Sequence, residues 1–252
     1  MNVINALTGG KKGISSFALR LVGFVFTLID CIYSAGLGRL WMTSMRWAAF
    51  PIFAYLLAEG YEKTSSRELY LRRLALFTLL AEVPYDLMFF AQPVRWQSQS
   101  AMLTLLIGYV AIWLIDIVRR KLDNLVVSML AIIAVGWGAF QLARFCNAFF
   151  YRYGIAIIIM FYLANHVPYK KIPEALVFIY IWLAISTDSA FTIMVGGLMY
   201  EIPKQIFSIM ALAFIWSYNG ERGPNSYRYR LGFYFIYPAL MLLLTLIRVI
   251  VK

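Results

Sequence analysis

The chain has 252 residues, of which 62% are hydrophobic, 17% aromatic and only 14% charged, with 23 Lys and Arg against 12 Asp and Glu. Soluble domains average about 45–50% apolar and about 25% charged residues, so this composition excludes a water-soluble globular class and indicates a polytopic membrane protein. The net charge of +11 collects at the ends of apolar segments, where it sets topology and meets the lipid bilayer's headgroups. Nucleic-acid binding is the weaker reading, and no such partner is expected.

Residues 1–13 form a short polar lead with Lys11 and Lys12, and the apolar run behind it lacks a small-residue cleavage site. That pattern predicts a retained first helix and no cleaved signal. Runs of roughly 20 mostly apolar residues, the length of a helical span, lie at about 16–36, 44–60, 70–91, 99–118, 124–143, 150–166, 172–187, 200–218 and 230–250. The expected fold class is all-α: a polytopic transmembrane helix bundle of about nine spans, forming a single integral membrane domain over 1–252. Segment 190–199 (AFTIMVGGLM) is too short to cross alone. It reads as an interfacial or re-entrant piece, or as the first turns of a longer eighth helix interrupted at Pro203. Gly136, Gly138 and Gly196-Gly197 read as small-residue contacts or bends in membrane helices.

Lys and Arg concentrate beside alternate segment ends: Lys11, Lys12, Lys63, Arg67, Arg72, Arg73, Arg119, Arg120, Lys121, Lys170, Lys171, Arg222, Arg228 and Arg230 on one side. The excess places that side, and the N-terminus, in the cytoplasm. Arg72-Arg73, Arg119-Arg120-Lys121 and Lys170-Lys171 read as headgroup anchors, and Trp41, Trp47, Trp96 and Tyr151 as an interfacial aromatic belt.

Five ionisable residues lie inside apolar runs: Asp30, Arg46, Glu59, Glu82 and Asp86. Such groups cost a few kcal/mol or more at the bilayer centre and therefore face a bundle interior or a wet cavity, paired with one another. Glu82 and Asp86, four apart, share one helix face. The predicted topology puts Asp30, Arg46, Glu82, Asp86 and Gln99 in one outer layer, with Arg46 placed to pair with a carboxylate, and leaves Glu59 at the cytoplasmic end. Two readings stand: a polar site for chemistry, or ion pairs that fix helix register. A solute transporter is less supported, since no paired inverted hydropathy pattern is evident. Cys31 and Cys146 show no metal-type spacing, and their pairing is open. The one histidine, His166, reads as an interfacial residue.

Several stretches, taken in order, resemble the TraX family, membrane proteins associated with N-acetylation of conjugative pilin. They are residues 19–30 (LRLVGFVFTLID), 46–60 (RWAAFPIFAYLLAEG), 82–87 (EVPYDL), 99–108 (QSAMLTLLIG), 153–156 (YGIA), 218–223 (YNGERG) and 235–240 (FIYPAL). The resemblance implies an integral membrane acetyltransferase of a bacterial inner, or cytoplasmic, membrane. It would take acetyl-CoA as donor and a membrane or exported peptide as acceptor. The catalytic residues it implies are Asp30, Arg46, Glu82 and Asp86; Glu59, Gln99, Asn219, Glu221 and Arg222 are implied for substrate or donor binding, and no metal is. Arg222, Arg228 and Arg230 either meet the donor's phosphates or, the stronger reading, form the basic cytoplasmic turn that topology alone requires. In the family pattern a histidine follows the first-span Asp and another follows the Tyr-Pro of the last span, positions held here by Cys31 and Leu240. Imidazole is the commonest general base, so Asp30 or Glu82 becomes the substitute. Cys31 reads as a packing residue, because an apolar setting disfavours its thiolate. A catalytically inactive relative that assists a membrane peptide or partner subunit is the alternative.

Overall fold

The computed structural model describes residues 7–8, 11–185, 190–224 and 227–251. Among them are nine α-helices: α1 (Ser16–Ser34), α2 (Met45–Lys63), α3 (Arg67–Phe90), α4 (Ala101–Lys121), α5 (Leu125–Phe145), α6 (Tyr151–Ala164), α7 (Lys171–Ile185), α8 (Ser208–Trp216) and α9 (Tyr227–Val251). Each apolar run of the sequence coincides with a helix, with one exception. Four helical stretches, Ser16–Ser34, Ala101–Lys121, Leu125–Phe145 and Gly232–Ile250, are long and apolar enough to cross a membrane. Helices α2 and α3 have the length but carry Arg46, Glu59, Glu62 and Lys63, and Arg72, Arg73, Glu82 and Asp86 respectively. Along α5, Leu125, Val126, Leu130, Ile133, Trp137 and Phe145 are all exposed, an apolar surface of the kind that lipid covers.

The exception is residues 190–218. The chain is otherwise helical, as expected, but the eighth span expected at 200–218 gives way to an antiparallel hairpin of β1 (Ala190–Val195) and β2 (Leu198–Pro203). A short 3₁₀ turn (Lys204–Phe207) and the nine-residue α8 follow. Gly196 and Gly197 form the turn, both with positive φ, 61° and 85°. A two-residue hairpin turn of this kind requires positive φ at both positions, which glycine adopts at no steric cost. They are hairpin residues and not helix contacts.

The chain falls into two compact units, residues Met1–Phe53 with Lys171–Lys252, and Ala54–Lys170. In the first, Ser15 caps α1 by accepting a hydrogen bond from the Ala18 N–H at 3.3 Å, satisfying one of the orphan donors at the helix start. Phe24 of α1 stacks on Phe233 of α9 at 5.5 Å, and Phe26 meets Phe214 of α8 edge-on at 5.8 Å. Gly23 leaves room for the Phe53 ring: a Cβ there would lie 3.0 Å from it. Between α7 and α8, the Trp216 indole N–H donates to the buried Glu174 carboxylate at 2.6 Å.

In the second unit, Ser66 caps α3 through the Leu69 N–H, and Asn124 caps α5 through the N–H groups of Val126 and Val127. Ile107, Ala111, Ala139, Ala143, Ala148 and Ile155 form one apolar cluster joining α4, α5 and α6. The small side chains let these helices approach closely, as membrane helix packing favours. At Gly108 an added Cβ would collide with Ile158 of α6.

Candidate functional site

In the first unit, Asp30 sits in the last turns of α1 and is 6% exposed. Arg46, in the first turn of α2, grips its Oδ1 with Nε at 2.9 Å and Nη2 at 2.8 Å. The expected pairing of Arg46 with a carboxylate is therefore met by Asp30, and Lys204 adds positive charge nearby. Cys31 is the next residue, buried at 1% exposure. Both cysteines are free thiols, so the open question of their pairing is closed.

The YNGERG segment also belongs to this unit, and it holds the N-terminal lead. Ile14 and Tyr218 form a parallel bridge, with Ile14 N–H donating to Ser217 O and Asn219 N–H to Ile14 O. The Asn219 side-chain amide donates to the carbonyl oxygens of Thr8, at 2.6 Å, and Lys11. Glu221 pairs with Lys11 at 2.6 Å. Gly13, at φ +105°, passes so close that a Cβ there would lie 2.6 Å from Ser217 O. Asn219 and Glu221 thus hold chain to chain, while Arg222 is exposed. The side chains of Arg228 and Arg230 lie outside the described residues.

In the second unit, Glu82, Asp86 and Gln99 meet at the loop between α3 and α4. Glu82 accepts from the Ser100 N–H and from its hydroxyl, the latter at 2.7 Å. Asp86, 3% exposed, accepts the Arg95 N–H on Oδ2 at 2.7 Å, and its buried Oδ1 has no hydrogen-bond partner among the described residues. The Gln99 amide donates to Arg95 O at 2.8 Å, and the Gln99 N–H to Asn147 O. This end is therefore a wrapped loop with one carboxylate oxygen left open. Glu59 lies elsewhere in the unit, paired with Lys63 one turn on at 2.7 Å.

At the other end of α4 the fold assembles a cluster around Asp116 that sequence reasoning missed. Its Oδ2 accepts from the Tyr61 hydroxyl at 2.8 Å and from Arg67 Nη1 at 2.5 Å; its Oδ1 accepts from Arg120 Nε at 3.1 Å and the Tyr162 hydroxyl at 3.3 Å. The Arg67 guanidinium also lies over the Tyr61 ring, 4.5 Å from its centroid. Nearby, His166 donates from Nδ1 to Tyr162 O at 2.9 Å and lies 3.8 Å from Glu62. Asp116 stands four residues before Arg120, a spacing that pairs side chains on a helix. That spacing was the available signal.

A family model described as TraX protein matches residues 15–248. The chain belongs to the TraX family. No curated protein and no solved structure matches it. The TraX match runs through both units, and so through the Asp30–Arg46 pair, the Asp86 loop and the Asp116 cluster alike. Leu240 lies in α9 directly after Pro238-Ala239. Among the described residues no group of three or more His, Cys, Asp or Glu is arranged to hold a metal ion.

Proposed function

We propose that this protein is a TraX-type integral membrane acetyltransferase that moves an acetyl group from cytoplasmic acetyl-CoA to an amine or hydroxyl of a membrane-embedded or exported acceptor. The observation that carries the reading is the family match over residues 15–248. A multi-span topology with a cytoplasmic N-terminus, and residence in a bacterial cytoplasmic membrane, belong to the same proposal. In such a transfer the acceptor attacks the thioester carbonyl, the carbon–sulfur bond breaks, the CoA thiolate leaves, and the acceptor's proton passes to a base. Asp86 suits that last task best, because its buried Oδ1 has no hydrogen bond to give up among the described residues. Glu82 is committed to Ser100, and Asp30 is committed to Arg46.

A second reading follows from Cys31, whose enclosed thiol stands where the TraX pattern has a histidine. In it the protein is a non-catalytic relative that binds or assists a membrane peptide or partner subunit. Incubating the purified protein with labelled acetyl-CoA and a peptide-amine acceptor separates the two. Donor binding with acetyl transfer supports the enzyme; absence of donor binding at millimolar concentration leaves the second reading.

A further inference from the structure

The basic residues at the C-terminal end of α4 behave differently from simple headgroup anchors, because a buried carboxylate organises them. An anchor is a long, solvated side chain that points where it will. Arg67 is instead held from two directions, by Asp116 and by the Tyr61 ring, with its side chain only 30% exposed. Arg120 is fixed to the same carboxylate at one end and is 64% exposed at the other. Arg119 lies within reach of the Tyr162 hydroxyl, and Tyr162 is itself fixed to Asp116.

The charges do not cancel. Arg67 and Arg120 bind one carboxylate, Arg119 stands beside the Tyr162 hydroxyl bonded to it, and all four hydrogen-bonding positions of that carboxylate are occupied. The partial negative charge of the α4 C-terminus offsets about half an elementary charge. The neighbouring acids Glu59 and Glu62 face Lys63 and His166. The bonds to Asp116 use one N–H of Arg67 and one of Arg120, whereas a guanidinium offers five in a planar fork suited to phosphate oxygens.

We propose that Arg67, Arg119 and Arg120, set in place by Asp116, form a binding site for a phosphate group. The phosphate comes either from a soluble phosphoester such as CoA or from an anionic lipid headgroup. Preorganisation by Asp116 lowers the cost of fixing the arginines when the ligand arrives. The site needs no acetyl transfer to exist, so it goes beyond the proposed activity.

The test uses the full-length protein in phosphatidylcholine nanodiscs, titrated with inorganic pyrophosphate and followed by ³¹P NMR. The expected result is saturable, salt-sensitive binding that weakens at least tenfold in R119Q/R120Q and is unchanged in R39Q, which alters an exposed arginine of the first unit. Because both substituted residues are exposed, the variant should keep the wild-type melting temperature; should it unfold, R119Q and R120Q singly give the same reading. Displacement of pyrophosphate by CoA assigns the phosphate to a soluble donor, and displacement only by phosphatidic acid in the nanodisc assigns it to lipid. Failure of pyrophosphate, CoA and phosphatidic acid all to bind, or equal binding by R119Q/R120Q, overturns the proposal. Phosphate binding without acetyl transfer would leave this site standing and remove the enzymatic reading.

Discussion

Asp116 and Asp86 are buried carboxylates in the same unit, near opposite ends of the α3–α4 pair, and their surroundings differ in kind. Asp116 accepts four hydrogen bonds, two from arginines and two from tyrosines. Asp86 accepts one described hydrogen bond, from a backbone N–H, and keeps one oxygen buried without a partner among the described residues. Ser100, which precedes α4, and Asp116, in its C-terminal part, are about 24 Å apart at 1.5 Å per residue. A filled carboxylate fixes its neighbours in place and is unavailable as a base; an open one is costly to keep and is the kind of group that chemistry employs. Burial of a charge therefore says little about function until its partners are counted.

The sharpest way to break this comparison is to remove the filled carboxylate. Asp116→Ala leaves the buried Tyr61 and Tyr162 and the half-buried Arg67 without their acceptor and should destabilise by about 3–5 kcal/mol, whereas Asp86→Asn should cost about 1 kcal/mol or less. Denaturant unfolding of the reconstituted protein reads both, and equal losses would erase the distinction.

The Asn219 clasp is a second filled site, in the other unit, and Gly13 is its weak point. Gly13→Ala forces a side chain into positive φ against Ser217 O, at a cost of about 1–3 kcal/mol. Hydrogen exchange should show earlier opening of the Ile14, Ser15 and Ser16 amides, with the Asp116 region unchanged.

Asp30 and Arg46 form a simpler filled site, one carboxylate and one guanidinium. A cycle of Asp30→Asn, Arg46→Gln and the double variant should give a coupling of about 0.5–3 kcal/mol. Additive effects would show that the pair does not hold α1 to α2.

The smallest effect belongs to Lys11 and Glu221. The hydrogen bond and charge of Glu221 raise the Lys11 ammonium above its ordinary 10.5. Any stability it adds is complete below pH 10.5 and is lost as pH rises through the higher folded value. Because Lys11 is fully exposed, Glu221→Gln should leave the melting temperature at pH 7 nearly unchanged.

Hydropathy made most of the helical architecture legible, since a long apolar run between basic ends has few other solutions. It failed at 190–203. There two apolar runs separated by Gly196-Gly197 also satisfy the hairpin pattern, and apolarity alone does not separate a short strand from a helix turn. Asp30, Arg46 and Asp86 stood out as charges deep in apolar runs. Asp116 did not, because beside Arg119-Arg120-Lys121 it resembles an interfacial charge; only the return of Tyr61, Arg67 and Tyr162 from distant parts of the chain reveals it. The contacts of Asn219 and Glu221 with residues 8–16 were likewise invisible, since nothing in YNGERG signals a partner more than 200 residues away.

The central claim is that an open carboxylate in a TraX fold serves acetyl transfer. The most direct measurement compares labelled acetyl transfer to a peptide amine by the reconstituted wild-type protein, Asp86→Asn and Asp86→Glu. The account predicts turnover by wild type, a loss of about 10²–10⁴-fold in Asp86→Asn as expected for removal of a general base, partial recovery in Asp86→Glu, and an unchanged fold in all three. Turnover in Asp86→Asn equal to wild type, or no donor binding by the wild-type protein, would contradict it.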